Sequence, residues 1–418
     1  MERRVIASVA AAIGLLLAAP TAAHATRTPA AGTPVAGRPV SGTSVAGAAV
    51  PRQTPGRLTL PEPSGPYRIG TVSLHLVDTA RTDPWLESHP TRELMVQLWY
   101  PATTTAGRPR APWLSPGAVP RLEAALGVPA GVLTWPTTHA GVGAPVDRGE
   151  HGRPVILYSP GAGADRSFGT VLVEELASHG YVVVTIDHTH DAGEVEFPDG
   201  RVEVASFPAD LTDAVIAQAL AVREADTRFV LDQLAAINTG RNPDADRRPL
   251  PPGLRGALDL TRTGMFGHSL GGATAAATMH DDRRIKAGID LDGSLPGDTA
   301  TAGSDRSFLL LGSDQAGPED PTWDTLWANQ RGWKRELVLT GSTHLSFTDL
   351  EVLYPQGGPL VGLTPEQIAQ VVGTLAPLRA VRVERAYVRA FFDLHLRHQD
   401  HCLFCGPSPR YPEIRFLR

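Results

Sequence analysis

Short apolar segments rich in β-branched residues alternate along the chain with longer segments of helical periodicity. Residues 181–187 (Tyr-Val-Val-Val-Thr-Ile-Asp) are typical of a strand buried on both faces of a parallel sheet. The longest helical pattern covers residues 213–237, with Gly240 just beyond its end as a helix stop. Further strands are predicted at residues 93–100, 154–159, 264–267, 285–291, 308–312 and 336–339, and further helices at 167–179, 273–279, 366–372 and 381–396.

This alternation predicts an α/β fold, in which a mainly parallel central sheet is flanked by helices on both faces. We assign residues 61–418 to this one domain. A Pro- and Arg-rich loop is expected at residues 242–256. Because ligands of such sheets bind at the carboxyl ends of the strands, functional residues are expected there.

The first 25 residues have the features of an export signal. Arg3 and Arg4 precede an apolar stretch, and Ala23-His24-Ala25 offers small residues for cleavage. The two arginines are compatible with export by the twin-arginine route. Because a single dipeptide is weak evidence, general secretion is favoured. The apolar run is short for a membrane span, so the sequence predicts a secreted protein with no transmembrane segment.

Residues 26–60 are predicted to be a disordered linker. Their low-complexity part, to about Gly56, consists of Ala, Gly, Pro, Thr, Ser and Val, with a degenerate repeat of the type Thr33-Pro-Val-Ala-Gly. Such a composition buries too little apolar area to offset the entropy of ordering. A plain linker is favoured over a wall-spanning or glycosylated stalk.

Composition excludes several classes of protein. With 418 residues, 42% of them hydrophobic and 20% charged, the chain can bury a sizeable core. Thirty-eight Lys and Arg against 44 Asp and Glu give a net charge of −6, which offers no general attraction for nucleic acid. The two cysteines, Cys402 and Cys405, are too few for a disulfide scaffold or a four-thiolate zinc site.

A candidate nucleophile lies between a predicted strand and a predicted helix. The sequence Gly267-His-Ser-Leu-Gly-Gly272 there matches the G-x-S-x-G nucleophile elbow, in which a sharp turn presents Ser269 at the tip of the sheet. A phosphate-binding loop is the competing interpretation, but its lysine pattern is absent. Ser269 is therefore predicted to be the nucleophile of a hydrolase.

A serine hydroxyl needs a histidine base and a carboxylate that orients the base. Of the histidines downstream of Ser269, only His344 lies in a loop directly after a predicted strand, so it is favoured as the base. Asp292 and Asp314 both end strands, and sequence order alone leaves both open as the acid. Asp290 is interpreted as a satisfied structural carboxylate.

Two backbone N–H groups should stabilise the oxyanion. One is that of Leu270, directly after the nucleophile, and the other should come from the loop Ser159-Pro-Gly-Ala-Gly163. Since Pro160 lacks an N–H, Gly161 or Ala162 must supply it. A simple Gly-rich connection is the alternative.

Four blocks in order resemble the plasma-type platelet-activating-factor acetylhydrolase family, especially its secreted actinobacterial members. The resemblance runs from about Leu60 to the C-terminus and implies the α/β-hydrolase fold. It places the acid on Asp292, the base on His344 and the second oxyanion donor on Ala162. The blocks are residues 158–188, Gly-His-Ser-Leu-Gly-Gly-Ala-Thr at 267–274, Ala-Gly-Ile-Asp-Leu-Asp-Gly at 287–293 and Gly-Ser-Thr-His-Leu-Ser-Phe at 341–347, with Leu-Met-Val-Gln-Leu-Trp-Tyr-Pro-Ala at 94–102 matching the early strand.

The chain departs from the mammalian relatives at two places near the predicted ester site. It has Pro160-Gly161 where they carry His-Gly, and Gly293-Ser294 where they carry bulky aromatic residues. The resemblance implies a secreted serine esterase that hydrolyses short acyl esters, expected to be those of phospholipids, with no metal or organic cofactor. A cutinase-like polyester hydrolase, an acyltransferase and a non-catalytic binding protein of the same fold are the alternatives.

Three remaining features have two interpretations each. The apolar residues of segment 111–143 either cover the site and contact a lipid interface or pack on the core. Cys402-Leu-Phe-Cys405, near several histidines, favours a small disulfide over a zinc site. His188, His190 and Asp191 follow a strand tip, where structural roles are favoured over pocket lining.

Overall fold

The computed structural model describes residues 56–208, 210–315 and 320–418. The predicted export signal and residues 26–55 of the predicted linker lie outside these residues. Among the described helices, none is long and apolar enough to cross a bilayer.

Strands and helices alternate along the described chain. The strands are β1 (Gly56–Arg57), β2 (Arg68–Asp78), β3 (Arg92–Ala102), β4 (Arg110–Pro112), β5 (Leu133–Thr134), β6 (Thr137–Val142), β7 (Arg153–Ser159), β8 (Val182–Asp187), β9 (Glu194–Glu196), β10 (Val202–Val204), β11 (Leu258–His268), β12 (Ile285–Leu291), β13 (Ser307–Ser313), β14 (Lys334–Leu339) and β15 (Ile414–Phe416). The helices are α1 (Val119–Ala125), α2 (Thr170–Ser178), α3 (Asp213–Thr239), α4 (Leu270–Asp281), α5 (Thr299–Ala302), α6 (Pro321–Asn329), α7 (Leu350–Gly357), α8 (Pro365–Val372) and α9 (Pro377–Arg397), with 3₁₀ turns at Arg166–Gly169, His344–Phe347 and Gly358–Val361.

One large sheet organises the molecule. Its strand order is β15-β14-β13-β12-β11-β7-β8-β3-β2-β6-β4. The six strands from β14 to β8 are parallel to their neighbours, whereas β15 at one end and β3 at the other pair antiparallel to this block. The carboxyl ends of the central strands therefore meet at one edge, as the sequence predicts.

Helices cover both faces of the sheet because the central strands bury alternate side chains on opposite sides. Val182 and Val184 pack in one core cluster with residues of α3 and α4. Ile156 and Val183 belong to a second cluster with residues of α2 and α9. This arrangement confirms the predicted α/β-hydrolase fold.

The structure departs from the sequence prediction at the start of the domain. Residues 56–60, assigned above to the linker, instead pack on the protein: the Leu58 N–H donates to the Thr134 carbonyl at 2.9 Å, and Leu58 and Leu60 are buried. The expected boundary at residue 61 is therefore too late. Strand β2 is also absent from the prediction, although its alternating Val72, Leu74 and Leu76 carry the signal of a strand.

Segment 111–143 is largely built into the fold. Trp113, Leu114 and Leu122 are buried, and the Trp113 ring stacks on that of Trp135 at 5.4 Å between centroids. The Trp113 indole N–H donates to Oδ2 of the Asp349 carboxyl group at 2.7 Å. Of the two interpretations of this segment, these contacts favour packing on the core.

Candidate active site

Ser269 occupies a sharp turn between β11 and α4. Its backbone has φ 56° and ψ −125°, a conformation rarely adopted by a residue other than glycine. The turn is tight enough to exclude side chains on its flanks: a Cβ at Gly267 would lie 2.1 Å from the Gly271 carbonyl carbon, and one at Gly271 would lie 2.0 Å from the Ser159 oxygen. These contacts are the physical reason for the small residues of the elbow.

His344 begins the 3₁₀ turn that follows β14, and its imidazole contacts the residue at the end of β12. Its Nδ1 lies 2.8 Å from the Asp292 Oδ2. The Asp292 carboxylate is fully buried and accepts two hydrogen bonds from Ser313, from the N–H to Oδ1 at 2.6 Å and from Oγ to Oδ2 at 3.1 Å. Asp292, like Ser269, has a positive φ, of 57°.

Electrostatics keep Asp292 ionised. Burial by itself would raise the pKa of this carboxyl, but the hydrogen bond from His344 and the charge of its imidazolium, together with the Ser313 N–H, hold the pKa below its usual range. An ionised Asp292 fixes the proton of neutral His344 on Nδ1, which leaves a lone pair on Nε2. That Nε2 is buried and makes no hydrogen bond within the described residues.

Asp314, the other carboxylate left open by the sequence, has different partners. Its Oδ2 accepts the Gly341 N–H at 2.7 Å, and its Oδ1 lies 3.6 Å from the Arg415 guanidinium. Asp314 thus supports the loop that leads to His344, whereas Asp292 contacts the imidazole itself. The geometry favours Asp292 over Asp314 as the partner of His344.

His268, the residue before Ser269, brings His344 next to the elbow. The two imidazole rings lie 4.5 Å apart between centroids, and the His268 Nε2–H donates to the His344 carbonyl at 2.9 Å. Burial, and to a smaller extent the charge of His344, lowers the pKa of His268 to about 3, so it stays neutral. The sequence did not predict this contact between His268 and His344, because its only signal was the position of His268 within the elbow motif.

The loop after β7 runs past Ser269. Gly161–Ala164 form a turn closed by a hydrogen bond from the Ala164 N–H to the Gly161 carbonyl at 3.2 Å, and Gly163 has the positive φ, 71°, required at the third position of a type II turn. A Cβ at Gly161 would lie 3.4 Å from the Ser269 Cβ. The Leu270 N–H, at the start of α4, is among those that lack an intrahelical partner.

Only one of the two Asp290 carboxyl oxygens has a hydrogen-bond partner among the described residues, whereas the sequence predicted a satisfied structural carboxylate. Its Oδ1 accepts the Gly293 N–H at 2.9 Å, while its Oδ2 is buried with no hydrogen-bond partner in the described part of the chain. Burial raises the pKa of this carboxyl well above its usual value. Asp290 is therefore a neutral acid inside the strand and does not compete with Asp292 for His344.

Ser159, His188 and Asp226 form a hydrogen-bonded arrangement in the interior. The His188 Nε2 is 3.0 Å from the Ser159 Oγ and its Nδ1 is 3.0 Å from Asp226. Ser159, His188 and Asp226 are all at most 1% exposed, which keeps substrate and water from this serine. The arrangement is a structural support under the loop after β7, in line with the structural role favoured for His188.

His190 belongs to a group with the spacing of metal ligands. His89, His190 and Glu203 each place one ligand atom within 4.8 Å of the others. Both ring nitrogens of His190 have partners, however: Asp83 at 2.9 Å from Nδ1 and Glu203 at 3.2 Å from Nε2. Arg201 also donates to Glu203 at 2.8 Å, so an ion-pair network accounts for the group.

The C-terminal cysteines form a disulfide, the interpretation favoured by the sequence. Cys402 and Cys405 are bonded to each other, and their thiolates are therefore not available to a metal. Nearby, His401 contacts Asp393 at 3.0 Å, and His395 contacts Ser307 at 2.9 Å.

Comparisons with known proteins agree with the fold and with an ester-cleaving site. The model of the family described as platelet-activating factor acetylhydrolase, isoform II, matches residues 53–401. A probable 1-alkyl-2-acetylglycerophosphocholine esterase of Arthroderma benhamiae is 31% identical over 388 residues, 87% of this chain and 95% of that protein. A platelet-activating factor acetylhydrolase of Cavia porcellus is 24% identical over 326 residues, 70% of each chain.

Among solved structures, the chain is similar to a ferulic acid esterase from Streptomyces cinnamoneus. The TM-score is 0.73 and the sequence identity is 38%. The match covers 86% of this chain and 99% of the esterase.

Proposed function

Because this chain belongs to the family of platelet-activating factor acetylhydrolases, isoform II, and is a carboxylic ester hydrolase, we propose that it cleaves short-chain acyl esters through an acyl-enzyme on Ser269. The observation that carries this proposal is the 2.8 Å contact between His344 Nδ1 and Asp292 beside the nucleophile elbow. It supports a triad of Ser269, His344 and Asp292.

In the first half of the reaction, the lone pair on His344 Nε2 accepts the proton of the Ser269 hydroxyl while Oγ attacks the ester carbonyl carbon. Asp292 stabilises the imidazolium formed, because its carboxylate is ionised and bonded to Nδ1. Collapse of the tetrahedral intermediate breaks the ester C–O bond. The departing alkoxide takes the proton from Nε2 and leaves the acyl group on Ser269.

In the second half, water repeats the same proton movements. His344 Nε2 accepts a proton from water, the hydroxide oxygen attacks the acyl carbon, and the Ser269 oxygen leaves with the proton from Nε2. The carboxylic acid is released and the free enzyme is restored. In both halves, the N–H groups of Ala162 and Leu270 stabilise the negative charge that develops on the carbonyl oxygen.

For the natural substrate we favour the short acyl ester of a phospholipid. Support comes from the esterase of Arthroderma benhamiae, whose name specifies an alkylacetylglycerophosphocholine and which covers 87% of this chain. A second candidate is the ester of a hydroxycinnamic acid. The observation that favours it is the higher identity, 38%, to the ferulic acid esterase of known structure.

The nucleophile is tested by labelling the full chain with a fluorophosphonate. We expect the label on Ser269, its loss in Ser269→Ala, and a fall in kcat on the order of 10⁶-fold in that variant. Ser408→Ala is the matched control, since Ser408 lies in the C-terminal segment, where its hydroxyl accepts the Arg410 N–H at 3.3 Å, and it has no step in the reaction. Labelling and turnover that survive in Ser269→Ala would refute the proposal.

The substrate is tested by comparing kcat/KM for four esters: a 2-acetyl phospholipid, its long-chain analogue, methyl ferulate and a suspended polyester. A preference for the 2-acetyl phospholipid is expected. If kcat/KM is highest for methyl ferulate, the hydroxycinnamic acid ester is the substrate class. If it is highest for the polyester, the protein is the cutinase-like polyester hydrolase. Product analysis with an added alcohol would reveal acyl transfer.

We also propose that the protein is exported, on the basis of the signal-like sequence of residues 1–25. The disulfide between Cys402 and Cys405 supports this, because such bonds persist in oxidising compartments. Detection of the processed chain in culture medium, with its N-terminus sequenced, tests the proposal, and retention of an unprocessed chain inside cells would contradict it.

A further inference from the structure

We infer that Arg223, on α3, is a positioning residue that orients the Ala162 N–H toward the oxyanion. The inference rests on the proposed function and extends it to a residue outside the triad. Arg223 is fully buried and its guanidinium lies against the loop after β7. Nη1 donates to the Pro160 carbonyl at 2.5 Å, and Nη2 donates to the Gly161 carbonyl at 3.0 Å.

The geometry of the peptide bond connects this contact to the reaction. The Gly161 C=O and the Ala162 N–H belong to one planar peptide unit, and in a trans peptide they point in opposite directions. No cis peptide occurs in the described residues. Arg223, together with the Ala164 N–H that closes the turn, holds the Gly161 oxygen and therefore fixes the direction of the Ala162 N–H on the other side of the peptide unit.

The Gly161 end of this peptide unit lies next to the nucleophile. A Cβ at Gly161 would be 3.4 Å from the Ser269 Cβ and 3.0 Å from His268 Nδ1. Within the described residues, the Ala162 N–H donates no hydrogen bond. It is thus oriented by its own peptide unit and free to donate to a substrate oxygen.

The guanidinium is itself held rigidly. Its Nε and Nη2 donate to the two oxygens of Asp191, each at 2.6 Å, and Asp191 is fully buried. The Asp191 Oδ1 also accepts the Gly163 N–H at 3.4 Å. The pair therefore contacts the turn on both sides of Ala162.

Only an arginine can make this set of contacts. The planar guanidinium has five N–H donors in fixed directions. Nε and Nη2 can therefore bind a carboxylate while Nη1 and Nη2 also donate to two adjacent carbonyls. A lysine has a single nitrogen and cannot hold both the carboxylate and the two carbonyls. Replacing Arg223 by Lys should keep the charge and release the peptide unit.

If this peptide unit is no longer held, stabilisation of the transition state should fall more than substrate binding. The reason is that the Ala162 N–H stabilises the negative charge that develops on the substrate oxygen in the transition state. For Arg223→Lys we expect kcat to fall about 10²-fold, as for loss of an oxyanion donor, with KM changed by less than about threefold. A trifluoromethyl ketone, which forms a tetrahedral oxyanion on the serine, should lose affinity in parallel with kcat.

The matched control is Arg385→Lys. Arg385 is also buried and donates to three backbone carbonyls, those of Val171, Glu62 and Pro61, but it has no contact with the loop after β7. Both variants should lower the midpoint of thermal unfolding, whereas only Arg223→Lys should lower kcat and the affinity for the ketone.

Asp191→Asn is a second, milder variant, because it weakens one anchor and leaves the guanidinium in place. We expect a fall in kcat of about tenfold without a change in KM. A folded Arg223→Lys or Asp191→Asn protein with wild-type kcat would overturn the inference, and so would loss of the folded state in both variants, which would assign the pair to stability alone. Activity in Ser269→Ala would instead refute the proposed function, so the two failures are distinguishable.

Discussion

Ser269 and Asp292 are both held at positive φ, 56° and 57°. Neither is a glycine, and such conformations cost about 1–3 kcal/mol each. Both residues directly follow a strand of the same parallel sheet, so each turn lifts a side chain out of the sheet edge at the point where His344 approaches. In the proposed mechanism, these two turns present the nucleophile and the acid at the same edge of the sheet.

Replacement of the acid should distinguish the two carboxylates at strand ends. For Asp292→Asn we expect kcat to fall on the order of 10⁴-fold, because the amide stabilises the wrong tautomer of His344. Asp314→Asn is the matched control and should keep kcat within about threefold, since an amide oxygen can still accept the Gly341 N–H. Steady-state kinetics of both variants measures this, and the reverse order of effects would exclude Asp292 as the acid.

At the scale of elements, α4 approaches β7 and β12 so closely that glycine is required. A Cβ at Gly272 would lie 1.7 Å from the Asp290 Oδ1, and one at Gly271 would lie 2.0 Å from the Ser159 carbonyl oxygen. The helix therefore starts directly against the sheet. This contact places the Leu270 N–H, the other proposed oxyanion donor, beside the loop that carries Ala162.

Gly271→Ala should disrupt this contact between helix and sheet. Because the new methyl group meets rigid backbone, we expect a loss of about 3 kcal/mol in the free energy of unfolding. Gly357→Ala in α7 is the control: its Cβ would make an ordinary contact of 3.4 Å with Leu133, so a change of no more than about 1 kcal/mol is expected. Urea denaturation compares the two variants, and equal effects would contradict the explanation.

At the scale of the whole molecule, carboxyl groups are buried behind the turn that carries His344. Asp349, Glu351 and Glu384 are at most 3% exposed. Burial raises the pKa of Asp349 and of Glu351 to about 8, and burial together with the charge of Glu351 raises that of Glu384 well above its usual value. At neutral pH these carboxyl groups are therefore mainly protonated in the folded protein.

This burial predicts how stability depends on pH. A glutamate carboxyl with a folded-state pKa of about 8 keeps a proton that the unfolded chain releases above its ordinary pKa of 4.5. Between these two values its contribution to stability falls as pH rises, by at most about 1.4 kcal/mol per pH unit. Glu351→Gln should remove this contribution and flatten the decline.

The measurement is urea unfolding at several pH values between 5.5 and 7.5. Glu150→Gln, at a fully exposed side chain, should leave the slope of the wild type unchanged. An unchanged slope in Glu351→Gln would show that Glu351 is ionised in the folded protein throughout this range.

The element pattern was accessible from the sequence because buried parallel strands and amphipathic helices have local signatures. Strands β8 and β12, helix α3 and the elbow at Ser269 follow from the spacing of apolar residues and glycines within one segment. The start of the domain was harder to predict from the sequence. Residues 56–60 directly follow the low-complexity stretch, and they are ordered because their N–H groups donate to the carbonyls of Val132 and Thr134 and because Leu58 and Leu60 are buried.

The sequence by itself determined the class of fold, the elbow and the short set of candidates for base and acid. The tertiary structure decided which members of that set meet: His344 contacts Asp292, Asp314 supports Gly341, and Arg223 reaches the loop before Ala162. The physical reason is that hydrophobic periodicity reports which face of an element is buried. A contact such as that between Arg223 and Gly161, 62 residues apart, depends on how whole helices pack on the sheet.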